Sequence, residues 1–201
     1  MRAIHRIIFK YPELQEGAKI AARQRYGSFD AVDSEQLEED FLQQLEQKGY
    51  VNAYDLQFSL NYCQGDGVSF CGEYTGEELR SLLQRVLSGH IPESYLEIIP
   101  NLVISITRHN LRYTHELTCS TEWVLDYPLG AEPANLAGLE ERARRLRDCI
   151  EADRQETCKE LAAAGYEEIE YRESDSFFAE TCDANAWEFY ADGTLYREED
   201  F

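Results

Sequence analysis

A chain of 201 residues that is 43% hydrophobic and 12% aromatic has ample material for a packed core, which makes it an ordinary globular protein rather than a polar tail. Its 39 acidic residues stand against 19 basic ones, a formal net charge of -20. Such a field repels nucleic acid and anionic membrane and favours basic partners, such as proteins that themselves bind nucleic acid.

The first fifteen residues hold basic side chains around a short apolar core at Ile7, Ile8 and Phe9, with no small-residue cleavage site after it. No stretch approaches the roughly 18 apolar residues of a membrane span, so a cytoplasmic protein is expected. Cys63, Cys71, Cys119, Cys149, Cys158 and Cys182 contain no CxxC pair, which suits reduced, partly buried thiols.

In chain order, 3–10 reads as a strand ended by Pro12, and 13–26 as a helix stopped by Gly27. A helix over 34–48 follows, capped by Asp33 or Ser34, with an apolar stripe of Leu37, Phe41, Leu42 and Leu45 and an acidic side of Glu35, Glu38, Glu39, Asp40 and Glu46 opposed by Lys48. Residues 55–74 form the clearest local signal. Two aromatic and aliphatic runs flank Gln64-Gly65-Asp66-Gly67, a hairpin with a four-residue loop that sets Cys63 opposite Val68 and Cys71 opposite Leu60. Thr75 and Glu78 form a T-x-x-E capping box for a helix over 76–88, ended by Gly89, and 93–99 holds a helical turn or two.

A second hairpin is predicted from strands 102–107 and 112–118 about His109-Asn110, with 121–125 extending the sheet. Leu102, Ile104 and Ile106 share its covered face. Pro128, Gly130 and Pro133 mark a loop, 126–134, as a sub-boundary within a single domain, before an acidic portion over 135–201. Asn135 caps a long helix to about 164, whose six basic residues, Arg154 among them, read as a solvated face laced with carboxylate pairs. Beyond Gly165, 166–172 alternates as a strand, Asp175 or Ser176 caps a short helix through Cys182, and 187–190 with 194–196 form a last hairpin. Twelve acidic residues against two basic ones fall within 166–201, half of the net charge. The whole predicts an α+β fold: a mainly antiparallel sheet of hairpins packed against about four helices, one of them long.

Few patterns carry chemistry. His5, His90, His109 and His115 are scattered, and His115-Glu116 lacks the second histidine of a zinc-hydrolase helix. A metal-assisted hydrolase would draw on Asp66, His109 and His115. Cys63 and Cys71 read as half-buried strand thiols. Gly65, Asp66 and Gly67 invite comparison with a phosphate loop, but a strand follows them and no Lys is near. No catalytic residue, metal or cofactor is assigned.

The hairpin from Phe58 to Gly72 resembles a segment of uncharacterised phage and mobile-element proteins that read Ser-Gln-Gly-Asp-Gly followed by a Phe and a Gly, sometimes labelled as belonging to a toxin–antitoxin stability system. Gln64, Gly65, Asp66, Gly67, Phe70 and Gly72 carry the likeness, with Cys63 in place of the usual Ser. The resemblance covers about twenty residues closely. Looser likeness at Arg112-Tyr113-Thr114-His115 and in the ending from Trp187 to Tyr196 extends it over 54–196. It implies a phage or mobile-element origin, hence the cytoplasm of a bacterial host. Joined to the acidity, it suggests a non-enzymatic inhibitor of a nucleic-acid-binding defence complex, of anti-CRISPR or anti-restriction type, that binds a basic protein or ribonucleoprotein with carboxylates standing in for phosphates. The candidate surface is Glu167, Glu168, Glu170, Glu173, Asp175, Asp183 and Glu188, with Glu35, Glu38, Glu39 and Asp40 as a second, and a homodimer would extend either. Direct nucleic-acid or membrane binding is not expected. The alternatives are the hydrolase and an antitoxin-like module that neutralises a basic toxin.

Overall fold

The computed structural model describes residues 7–27, 34–126 and 133–197. In chain order its elements are β1 (Phe9–Lys10), α1 (Glu16–Tyr26), α2 (Ser34–Gln47), β2 (Ala53–Ser59), β3 (Gly67–Thr75), α3 (Gly76–Val86), α4 (Glu93–Leu96), β4 (Leu102–Arg108), β5 (Cys119–Leu125), α5 (Pro133–Arg172), α6 (Asp175–Ala184) and β6 (Glu188–Phe189). The fold is α+β. The chain divides into two compact units, Glu35–Tyr166 and Met1–Ser34 with Glu167–Phe201, where the sequence suggests one domain with a sub-boundary at 126–134. That loop is interior to the first unit, and 127–132 lie outside the described residues.

The larger unit is built on a four-stranded antiparallel sheet in the order β2-β3-β4-β5. Phe70, Tyr74, Leu102, Ile104 and Ile106 are fully buried on it, as the alternation in 102–107 predicts. Leu37, Phe41 and Leu45 of α2 are buried, while Leu42 lies off that stripe and is 38% exposed. Tyr50 packs edge-on against Phe70 and Tyr74, and Phe41 against Phe58.

Three local expectations fail here for identifiable reasons. Ser59 pairs with Gly67, so the first hairpin closes through 60–66 rather than a four-residue turn; Cys71 faces Tyr54, and Cys63 sits in the loop. The partner of β4 is 119–125 instead of 112–118, in a register running from Leu102 opposite Leu125 to Arg108 opposite Cys119. A strand over 112–118 would have had to cover Leu117, which is 56% exposed in the observed loop. Thr75 is the N-cap of α3, still paired with Val103 in β3, but its side chain makes no cap hydrogen bond, and Glu78 accepts from Asn52 Nδ2 at 2.8 Å instead.

α5 continues where a strand over 166–172 was expected. Gly165 does not stop it. A β-carbon there would lie 2.4 Å from Leu60 Cδ1 and 2.9 Å from Phe41 Cζ, so this glycine lets loop and helix side chains press against α5. Beyond it, Arg172 Nε donates to Glu168 Oε1 at 2.6 Å across one turn. Arg154 is not on a solvated face either. It is fully buried, paired with Glu151 at 2.7 Å and donating to the carbonyls of Glu116 and Cys119.

In the smaller unit Tyr11, Leu14, Ala18, Ala22, Phe178, Cys182 and Phe189 form the core. β6 pairs with β1, Phe9 opposite Phe189, so this two-stranded sheet is separate from the larger one rather than a third hairpin of it. Of the strand expected over 3–10, only Phe9–Lys10 is present, and 1–6 lie outside the described residues. The N-cap of α6 is Ser174, whose hydroxyl accepts from the Phe177 N–H, instead of Asp175 or Ser176. The turn after β6 closes with Tyr190 N–H donating to Thr194 O at 2.8 Å.

Candidate functional site

The motif loop is organised by one carboxylate. Asp66 Oδ1 accepts from Ser59 Oγ at 2.6 Å, and Oδ2 accepts the backbone N–H groups of Asn61 and Cys63, each at 2.7 Å. The Ser59 hydroxyl first, and the Cys63 amide after it, hold the Asp66 carboxyl below the usual carboxylate range. On the other side of this loop lies 109–118. The Thr114 N–H donates to Gly65 O at 3.0 Å, the Tyr113 ring occupies the space beside Gly65, and the His115 backbone lies against Gly67. Gly65 (φ +94°) and Gly67 (φ +150°) combine left-handed backbone with this close approach, which no other residue accommodates. Farther along β3, a β-carbon on Gly72 would meet the Tyr74 hydroxyl at 2.7 Å, and Phe70 is fully buried. Of the six motif residues, only Gln64 is exposed without such a role.

The hydrolase constellation is not assembled by this geometry. Both oxygens of Asp66 are engaged by the loop, and His115 Nδ1 accepts from the Leu117 N–H at 3.2 Å as the cap of a short 3-10 turn. Among the described residues no three His, Cys, Asp or Glu side chains converge as metal ligands. The six cysteines are unpaired, and Cys71 is buried and pushed up to about 11 by that burial, so it is a protonated thiol at neutral pH.

The acidic residues distribute unevenly. Glu167, Glu170 and Glu173 are exposed at the end of α5 and just beyond it, and Asp183 is exposed on α6. The other three of the C-terminal set are occupied or half-buried. Glu168 holds Arg172; Asp175 accepts from Tyr11 Oη at 2.5 Å and lies 3.6 Å from Arg23; Glu188 is half-buried in β6 opposite Lys10. On α2, Glu35, Glu38, Glu39 and Asp40 are all exposed, with Asp40 taking a hydrogen bond from Gln36. Lys48, expected to balance that helix, turns away to Glu160 at 2.5 Å.

What the sequence does not announce is where the cations go. The Arg108 side chain is 4% exposed, donating to the Asp55 carboxylate and carbonyl and to Ser69 Oγ. Burial alone would raise Asp55, but the Arg108 hydrogen bond and charge hold it low. Asp55 itself takes φ +48° where the β2 register shifts. Arg85 is bound by both oxygens of Asp153, which also accepts from Tyr50 Oη. Arg142 reaches the Ser94 carbonyl and Glu97. None of these three pairs has a helical spacing legible in sequence, as Arg154 with Glu151 and Arg172 with Glu168 do. Comparison with known proteins finds no matching family model, no matching curated protein and no matching solved structure.

Proposed function

We propose that this chain is an acidic, non-enzymatic binding protein that occupies the nucleic-acid-binding surface of a basic partner, an inhibitor of a bacterial defence complex of anti-CRISPR or anti-restriction type carried by a phage or related element. One observation carries the reading: several cations are buried or tied to carboxylates, while a set of carboxylates on α2 and over 167–183 stands exposed and, among the described residues, unpaired. Arg154 is buried, the Arg108 side chain is 4% exposed, and Arg85, Arg142 and Lys48 are bound to carboxylates, whereas Glu38, Glu39, Glu167, Glu170, Glu173 and Asp183 are exposed with no cation among the described residues within 4 Å. Each set, on α2 in the larger unit and over 167–183 in the smaller, presents fixed negative charge, and a basic cleft that releases counterions to DNA is attracted to such a surface for the same reason. The resemblance of the motif hairpin to phage proteins supports the biological setting. A helix-borne carboxylate array keeps its spacing without paying ordering entropy on binding. Affinity capture from a bacterial host lysate tests the reading. The expected result is a nucleic-acid-binding protein retained by the wild type and lost by the combined Glu167→Lys, Glu170→Lys, Glu173→Lys and Asp183→Lys variant. Retention of such a protein equally by both, or of none by either, overturns it.

A further inference from the structure

An open groove of about 430 Å³ lies on the larger unit, where α2 gives way to β2. Glu39, Leu42, Gln43 and Glu46 form its helix side, and Val51 and Ala53 its other wall. These helix positions recur at three- and four-residue steps on the face turned away from buried Leu37, Phe41 and Leu45. Leu42 is 38% exposed and Val51 51%, so two apolar side chains are presented to solvent between two carboxylates. Neither carboxylate has a cation among the described residues within 4 Å, since Lys48 is held by Glu160.

We propose that this groove docks a basic amphipathic segment of the partner protein. The proposal rests on the reading above, and adds the chemistry of what one face recognises. Charge selects the occupant. A second copy would bring acidic rim against acidic rim in a chain of net charge -20, and nucleic acid would be repelled in the same way. A purely basic segment would leave Leu42 and Val51 in water, and a purely apolar one would leave the rim carboxylates unpaired. Spacing narrows the class further. Glu39 and Glu46 are seven residues apart on α2, about 10 Å along the axis. Two Lys or Arg that reach both carboxylates lie about seven residues apart on one face of a helix, or four apart on one face of a strand, about 13 Å, where the flexible side chains take up the difference. An apolar side chain between them meets Leu42 and Val51. Such an anchor with flanking charges is the usual division of labour in a small interface, apolar contact at the centre and charge at the rim.

The test uses the full chain and defined probes. Fifteen-residue capped helical peptides carrying Lys at i and i+7 with Leu at i+4, strand-forming peptides with Lys at i and i+4 about Leu at i+2, and matched Glu-for-Lys controls are titrated against labelled protein by amide NMR. The expected result is that a Lys-bearing format binds and its Glu control does not. Shifts should centre on Leu42, Gln43, Val51 and Ala53, and affinity should fall about tenfold or more in Glu39→Lys/Glu46→Lys and in Val51→Asp. Mapping on the wild type keeps the result independent of how the variants fold. Binding that maps to 167–183, or that both variants retain, overturns the groove. So does failure of every Lys-bearing peptide to bind. In parallel the Glu39→Lys/Glu46→Lys protein is used in the lysate capture. Where peptides fail but the wild type still retains a nucleic-acid-binding protein, only the groove is lost; where both fail, the acidic-surface reading goes with it.

Discussion

The ring of Tyr113 fills the space that a β-carbon on Gly65 would need, which would lie 2.1 Å from Tyr113 Cδ1. Two segments almost fifty residues apart in sequence are thereby locked together at the end of the sheet, with the Thr114 N–H on the Gly65 carbonyl sealing the contact. Gly65→Ala is therefore expected to destabilise the protein by about 3 kcal/mol, from a disfavoured left-handed backbone and from overpacking together. Urea unfolding measures it; an unchanged midpoint would contradict the close approach.

Asp66 ties the same loop by charge. Its carboxyl is held low by Ser59 and the Cys63 amide, so the unfolded chain takes up the proton first as pH falls. The stabilisation is complete above the ordinary carboxylate pKa of about 3.9 and is lost as pH drops through the lower folded value. Asp66→Asn is expected to cost about 1 kcal/mol at neutral pH, because the charge-assisted bonds from the Asn61 and Cys63 amides become bonds to a neutral carbonyl. The gap from wild type should close as pH falls below the ordinary carboxylate range. A gap independent of pH in thermal melts would contradict the role.

Gly165 sets two principles against each other. A glycine in the middle of a helix costs about 1 kcal/mol relative to alanine, yet a β-carbon here meets Leu60 and the buried Phe41 ring. Gly165→Ala alone is expected to destabilise by about 1 kcal/mol net. In a Leu60→Ala background the same substitution should be neutral or stabilising, as a double-mutant cycle reads directly. Stabilisation in the wild-type background would mean that the approach is looser than described.

The Arg154 guanidinium is fully buried, satisfied by Glu151 and by two carbonyls of the segment leading into β5. Arg154→Ala leaves those carbonyls and Glu151 without their donor and is expected to cost about 3 kcal/mol. Arg145→Ala, on an exposed side chain bonded to Glu141 one turn away, should cost less than about 0.5 kcal/mol. Equal effects in chemical denaturation would contradict the burial difference.

Local periodicity made the helices legible: Leu37, Phe41 and Leu45 mark α2, and Leu79, Leu82 and Leu83 mark α3, each burying the face its spacing predicts. Strand pairing was less legible, because Tyr113, His115 and Leu117 alternate as well as Cys119, Thr121 and Trp123 do, and only tertiary register separates them. The 166–172 segment failed for a related reason. Alternation in a Glu- and Tyr-rich stretch imitates a strand, while the Glu168 to Arg172 pair that favours helix is a single local contact. Gly165 was read as a stop although its role is steric. For the candidate surface, sequence supplied the acids but not which were spent. Tyr11 and Arg23, distant in the chain, engage Asp175, and Glu160 removes Lys48 from the field of α2. Arg108 with Asp55 is likewise invisible to spacing, since 53 positions separate them.

If exposed carboxylates substitute for phosphates on a basic partner, the affinity for the captured partner must respond to salt and to DNA, and a salt series with and without competing DNA measures both. Affinity should fall steeply and log-linearly with salt, binding should be mutually exclusive with DNA, and the slope should be shallower for the Glu167→Lys, Glu170→Lys, Glu173→Lys and Asp183→Lys variant. Salt-independent binding, or a ternary complex in which DNA and this protein occupy the partner together, would contradict such mimicry.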